Sequence, residues 1–175
     1  KFTNNRYEKI KLNESAKPKI STRVYSVSKN NFSNSEINDV KTLLIFDNNL
    51  SFEFSDFKDK KFNKILIVNS IESREILLSD NVMKFKKSLL QDQLKRLKNL
   101  SIDCEIVKIE DIKKYGDDVC ALYPSVGENL DFINSNELKN IQFLYRKIDQ
   151  FSWQYCNKGF FNFKNYIPKI IQNIS

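Results

Sequence analysis

Two short, unbroken apolar runs set the rhythm of this chain. Thr42-Leu43-Leu44-Ile45-Phe46 ends in Asp47-Asn48-Asn49, and Lys64-Ile65-Leu66-Ile67-Val68 ends in Asn69. Runs of this length without polar alternation suit strands buried on both faces, as in a parallel sheet covered by helices. Between residues 79 and 99 the spacing changes. Val82, Phe85, Leu89, Leu90, Leu94 and Leu97 recur mainly at three- and four-residue steps, which predicts a long helix with one apolar stripe. Ser79 or Asp80 is placed to cap it, and Asn99 to stop it.

The alternation of the two patterns continues. Cys104 to Ile109 reads as a strand, Glu110 to Tyr115 as a short helical piece ending at Gly116, and Val119 to Tyr123 as a buried strand stopped by Pro124. A short helix around Glu128 to Ile133 and a last strand at Ile141 to Leu144 follow. Strands separated by helices imply parallel βαβ units with right-handed crossovers. The expected fold is α/β and Rossmann-like: an open, mostly parallel sheet of about five strands with helices on both faces. It occupies residues 41–175. Residues 1–40 carry many Lys, Asn and Ser with scattered apolar positions, and read as an extended linker or arm. Val24, Tyr25 and Val27 are the part of it suited to a docked strand.

Composition narrows the chemistry. The chain of 175 residues is 41% hydrophobic, enough for a core, and has no histidine. Its net charge of +7 favours an anionic partner, although lysine is also an ordinary surface residue in a Lys-, Asn- and Ile-rich chain. Cys104, Cys120 and Cys156 form no CxxC pair and each has apolar neighbours, which suits reduced, buried thiols and a cytoplasmic setting. No apolar run approaches a membrane span, and no metal-ligand spacing or Gly-rich phosphate fingerprint occurs. The chain starts at Lys1 and its single methionine is Met83, as expected of a fragment or processed product.

The last quarter is the most specific stretch. Leu144, Ile148, Phe151 and Tyr155 are spaced to share a helix face, and Arg146 and Asp149 to pair on its flank. Gly159 suits a positive φ at a helix end, and Pro168 a first helical turn. Ile167, Ile170, Ile171 and Ile174 form the next stripe. Trp153, Phe160, Phe161 and Phe163 supply more aromatic area than one turn usually holds. They suit either an aromatic corner closing the core or a surface packing on a second domain or a planar ligand.

Asp149-x-x-x-Trp153, then Lys158-Gly159-Phe160-Phe161-x-Phe163-Lys164-x-x-Ile167-Pro168, resembles the C-terminal end of bacterial deoxyribodipyrimidine photolyase-like, FAD-binding-domain proteins. Leu43-Leu44-Ile45, Ser79-Asp80-Asn81-Val82 and Tyr123-Pro124-Ser125-Val126-Gly127 are similar in the same order, so the likeness runs over residues 41–175. The chain departs from it at Trp153-Gln154-Tyr155, where the family has Trp-Pro-His. The resemblance implies an accessory α/β domain of a flavoprotein that repairs UV-damaged DNA in light, carrying no catalytic residue of its own. It implies FAD in a helical partner domain, on the same or a separate polypeptide, DNA bound through the complex, and in some members an antenna chromophore. The arm then reads as the linker from that helical domain. The alternative is a free-standing Rossmann-like module that binds a protein or nucleic acid.

In an open parallel sheet, ligands bind beyond the carboxyl ends of the strands. Ser70, Ser73, Arg74, Ser125, Gly127 and Glu128 gather there as the candidate crevice, together with the stretch Asp47-Asn48-Asn49. Glu72, Glu75 and Asp80 read as a solvated helix-start face. Lys84, Lys86, Lys87, Lys95, Arg96 and Lys98 read as a solvated helix face or a track for DNA phosphates.

Overall fold

The computed structural model describes residues 41–74, 77–115, 118–135, 141–156 and 159–174. The arm, Glu75, Lys158 and the linker reading of residues 1–40 lie outside the described residues. Five parallel strands form one sheet: β1 (Thr42–Ile45), β2 (Lys64–Asn69), β3 (Cys104–Lys108), β4 (Val119–Leu122) and β5 (Gln142–Leu144). Their spatial order is β3-β2-β1-β4-β5, so the winding reverses between β1 and β4. This is the open Rossmann-like α/β sheet that the pattern predicts.

The unbroken apolar runs build the two sides of the core because successive side chains point to opposite faces. Leu43, Ile45, Ile65 and Ile67 join one cluster, while Leu44, Phe46, Leu66 and Val68 join the other. Helix α1 (Asp80–Asn99) covers the first face through Leu90 and Leu97, beside Phe52 and Phe57 of the β1–β2 connection. The second face is covered by Ile109 and Ile112 of a 3-10 helix (Ile109–Tyr115) and by Ile133 of α2 (Glu128–Ser135). The chain ends in α3 (Lys147–Trp153), α4 (Phe160–Phe163) and α5 (Ile167–Ile174).

Four local expectations change. The apolar positions of α1 do not form one stripe: Leu90, Leu94 and Leu97 turn inward with Met83 and Gln93, whereas Val82, Phe85 and Leu89 stay exposed. The inward set is completed by a glutamine, a residue that a hydrophobic template passes over. Ser79 stands at the N-cap, but its carbonyl rather than its hydroxyl does the work, accepting from Met83 N–H at 2.9 Å. Leu144 belongs to β5 and is buried, so the proposed helix face loses its first member. Cys156 is exposed, while Cys104 and Cys120 are buried.

Removing side chain from the central strands should be far more costly than removing it from the outer face of α1. Leu66→Ala is expected to destabilise by about 2–5 kcal/mol, because the cavity cannot collapse between two packed layers. Phe85→Ser should change stability by about 0.5 kcal/mol or less. Urea unfolding followed by circular dichroism measures both; equal losses would contradict this assignment of faces.

Candidate functional site

Where β1 and β4 part, their following loops enclose a cleft of about 230 Å³. Arg74, Gly127 and Glu128 line it, together with Asp47, Lys86 and Asn129. Three of the six crevice residues read from the sequence are therefore brought together. The others go elsewhere. Ser70 is buried, and the Ser73 hydroxyl donates to the Glu110 carboxylate on the exposed surface. Ser125 does not line the cleft but shapes its wall, with φ of 61° in the loop leading to α2. Gly127, at φ of 132°, completes that turn in a conformation closed to most side chains, and its carbonyl accepts from Asp131 N–H at 3.0 Å to start the helix.

The polar groups at the cleft are largely committed to one another. Asp47 accepts from the Lys86 ammonium through one carboxylate oxygen and from Asn129 Nδ2 at 3.0 Å through the other. Asn48 Nδ2 donates to the Pro124 carbonyl at 2.6 Å, and Asn49 Nδ2 to the Tyr123 carbonyl at 3.1 Å. Across the cleft Arg74 Nη2 lies 2.7 Å from Glu128 Oε2. That contact is ionic rather than an aligned hydrogen bond, and Arg74 Nε–H has no acceptor among the described residues. Each cation thus faces its own carboxylate, so the cleft offers an incoming anion little uncompensated charge. Among the described residues no group of three His, Cys, Asp or Glu is placed to hold a metal ion.

The basic helix face is similarly divided. Lys86 is tied to Asp47, Lys87 to Glu72 at 2.6 Å, and Arg96 to Glu53, Asp92, Gln93 and the Leu50 carbonyl. The bonds to Asp47, Glu53 and the Leu50 carbonyl fasten the β1–β2 connection to α1, and with the Glu72 pair they break up a continuous phosphate track. Lys84, Lys95 and Lys98 make no ion pair among the described residues.

The C-terminal aromatics separate into two groups. Trp153 packs edge-on against Tyr123 and Tyr145, with ring centroids 5.7 and 5.9 Å apart. Burial raises the Tyr123 and Tyr145 phenols above their usual pKa. Arg146 and Asp149 pair at 2.7 Å, as their spacing predicts. Tyr155 stacks on Tyr166 at 4.4 Å, beneath Lys169. Phe160 and Phe161, by contrast, are 65% and 83% exposed, and Phe163 is half-buried. The aromatic corner exists, but it is made by Trp153 and the tyrosines that directly follow β4 and β5 rather than by the Phe160–Phe161 pair. No signal in the sequence marked Asp47 and Lys86 as partners, since they meet only through the fold.

Comparison with protein-family models, with curated proteins and with solved structures finds no match to this chain.

Asp47→Ala should strand the Lys86 ammonium and remove the acceptor of Asn129, costing about 1–3 kcal/mol in urea unfolding. A loss no larger than that of an ordinary surface substitution would show that these bonds do not tie the helices to β1.

The thiols supply a second check. Burial pushes Cys120 up to about 12 from an ordinary value of 9.0. A disulfide reagent at neutral pH should label Cys156 in the native protein, and Cys104 and Cys120 only after unfolding. Because the folded pKa is raised, the Cys120 contribution to stability is intact below pH 9 and falls as pH climbs toward 12. Cys120→Ala should flatten that part of the stability profile.

Proposed function

We propose that this chain is a docking α/β domain, non-catalytic by itself, that packs on a helical flavoprotein domain acting in light-dependent repair of UV-damaged DNA. The observation that carries the docking part is the exposed Phe160–Phe161 pair beside a finished core. Gly159 holds the turn with φ of 77°, and its carbonyl accepts from Phe163 N–H at 3.1 Å, so a backbone device fixes both rings outward. An exposed aromatic pair of this kind is the expected anchor of a protein interface. The paired charges of the switch-point cleft fit the same reading, because they leave the domain without a ready anion pocket. The repair partner comes from the resemblance of the Asp149–Pro168 motif to photolyase-like proteins, and with it the FAD, which this reading assigns to the partner. DNA would be engaged through the complex.

The alternative, a free-standing Rossmann-like module, shares the docking surface and differs in its partner. Native mass and visible spectra of material purified from its source separate the two. A complex with a flavin-coloured chain supports the repair reading. A colourless lone chain, or a complex without flavin, sinks it. Phe160→Ser with Phe161→Ser should abolish the flavin-bearing complex while leaving urea unfolding of the domain within about 0.5 kcal/mol.

A further inference from the structure

Two polar atoms are left without a hydrogen bond where the two halves of the sheet part. Arg74 Nε–H finds no acceptor and Glu128 Oε2 no donor, and both atoms are closed to solvent. Both residues line the switch-point cleft: Arg74 comes from the loop after β2, and Glu128 opens α2. Buried polar atoms in folded proteins are as a rule bonded, so an orphaned donor and an orphaned acceptor on one cleft call for an explanation. Their own contact does not supply it. Arg74 Nη2 lies 2.7 Å from Glu128 Oε2, close enough to offset charge but misaligned. The planar fork of Nε and Nη, which suits a carboxylate, is therefore left unused.

The rest of the cleft restricts what can answer both atoms. Asp47 is bonded to Lys86 and Asn129, and Asn48 to the Pro124 carbonyl. The formal charges on its walls, Arg74 and Lys86 against Asp47 and Glu128, cancel. A lone anion taking Arg74 would strand Glu128, and a lone cation taking Glu128 would strand Arg74. A zwitterion answers both. At about 230 Å³ the cleft is smaller than the roughly 300–1,000 Å³ of sites for drug-sized ligands. Among the described residues its apolar side chains are Pro124 and Val126.

We infer that the cleft binds a free α-amino acid with a short aliphatic side chain. Its carboxylate takes the Arg74 fork, its ammonium donates to the Glu128 carboxylate, and its side chain lies on Pro124 and Val126. One misaligned contact gives way to two sets of charge-assisted hydrogen bonds, and no net charge enters the cleft. The bonds from Asp47 to Lys86 and Asn129 stay intact. Binding here depends neither on the Phe160–Phe161 surface nor on the repair reading.

Isothermal titration of the full chain with L-valine, isovalerate and isobutylamine tests this, since the last two each lack one of valine's charged groups. L-valine should bind saturably with a Kd below about 1 mM, and each of the others at least tenfold more weakly. Glu128→Gln should weaken L-valine about tenfold or more and make isovalerate the better ligand, because Arg74 is then unpaired. Arg74→Gln should do the converse, favouring isobutylamine. The Phe160→Ser, Phe161→Ser variant should bind L-valine as the unmodified chain does. Urea unfolding confirms that each variant is folded, and the three-ligand comparison on the unmodified chain stands without the variants. Absence of saturable L-valine binding, equal binding of the three compounds, or binding unchanged in both cleft variants would overturn the inference. So would saturable binding of isovalerate alone, which would make the cleft a simple anion site.

Discussion

The end of β1 is the point from which the rest of this domain is held. Asp47, Asn48 and Asn49 follow the central strand of the sheet, and their side chains reach α1, α2 and the loop after β4. Asp47 reaches Lys86 on α1 and Asn129 on α2, which lie over opposite faces of the sheet. Asn48 and Asn49 reach successive carbonyls of the loop after β4. A parallel pair such as β1 and β4 has no hairpin to fix it, so its register depends on packing and on contacts at the strand ends. Here three consecutive polar residues provide those contacts. They also close the switch-point cleft from within, because groups that would face a ligand are already bonded to one another. The same residues that secure the sheet reduce what the cleft can capture.

Much of the architecture was legible in the sequence, and the reason is burial on both faces. A strand such as Lys64–Asn69 can satisfy its backbone in a covered parallel sheet while presenting apolar side chains in both directions, so its unbroken run identifies it. The long helix was legible in extent but not in orientation. Its exposed and inward apolar or amide positions overlap in spacing, and only the fold decides that Gln93 turns in while Phe85 turns out. Gln93 tolerates burial because its amide donates to Glu53 at 3.0 Å and accepts from Arg96 at 2.9 Å. That network joins residues forty positions apart, and no local pattern encodes it. The candidate crevice was half legible for the same reason. Strand ends can be placed from the runs, which located Arg74, Gly127 and Glu128, but side-chain direction within the loops sent Ser70 inward and Ser73 to Glu110.

The basic surplus acquires a clearer meaning once the ion pairs are drawn. Lys64 is held by Glu105 at 2.8 Å, and that hydrogen bond raises the lysine's pKa while lowering that of the carboxylate. Lys86, Lys87 and Arg96 are likewise engaged. Such exposed or half-exposed pairs contribute little stability individually. Their larger effect is to remove cations from the set available to an external anion, leaving Lys84, Lys95 and Lys98 on α1. Net charge therefore overstates how basic this helix is to a polyanion, and understates how local its remaining charge is.

Two apolar surfaces remain outside the core for different physical reasons. Burying a phenylalanine side chain is worth roughly 1.5–3 kcal/mol, so an exposed one calls for a geometric cause. At Phe160 and Phe161 the cause is local: the left-handed turn at Gly159 and the short helix it opens direct both rings away from the sheet, whatever the core could accommodate. At Val82, Phe85 and Leu89 the cause is topological. Inward positions of α1 are set by contact with β2 and β3, and the β1–β2 connection, with a 3-10 helix of three residues, leaves these three side chains exposed. Repacking cannot hide either surface without rotating α1 off the sheet or breaking the Gly159 turn. Each is consequently a fixed feature of the folded domain, and covering it requires atoms from outside the packed α/β layers.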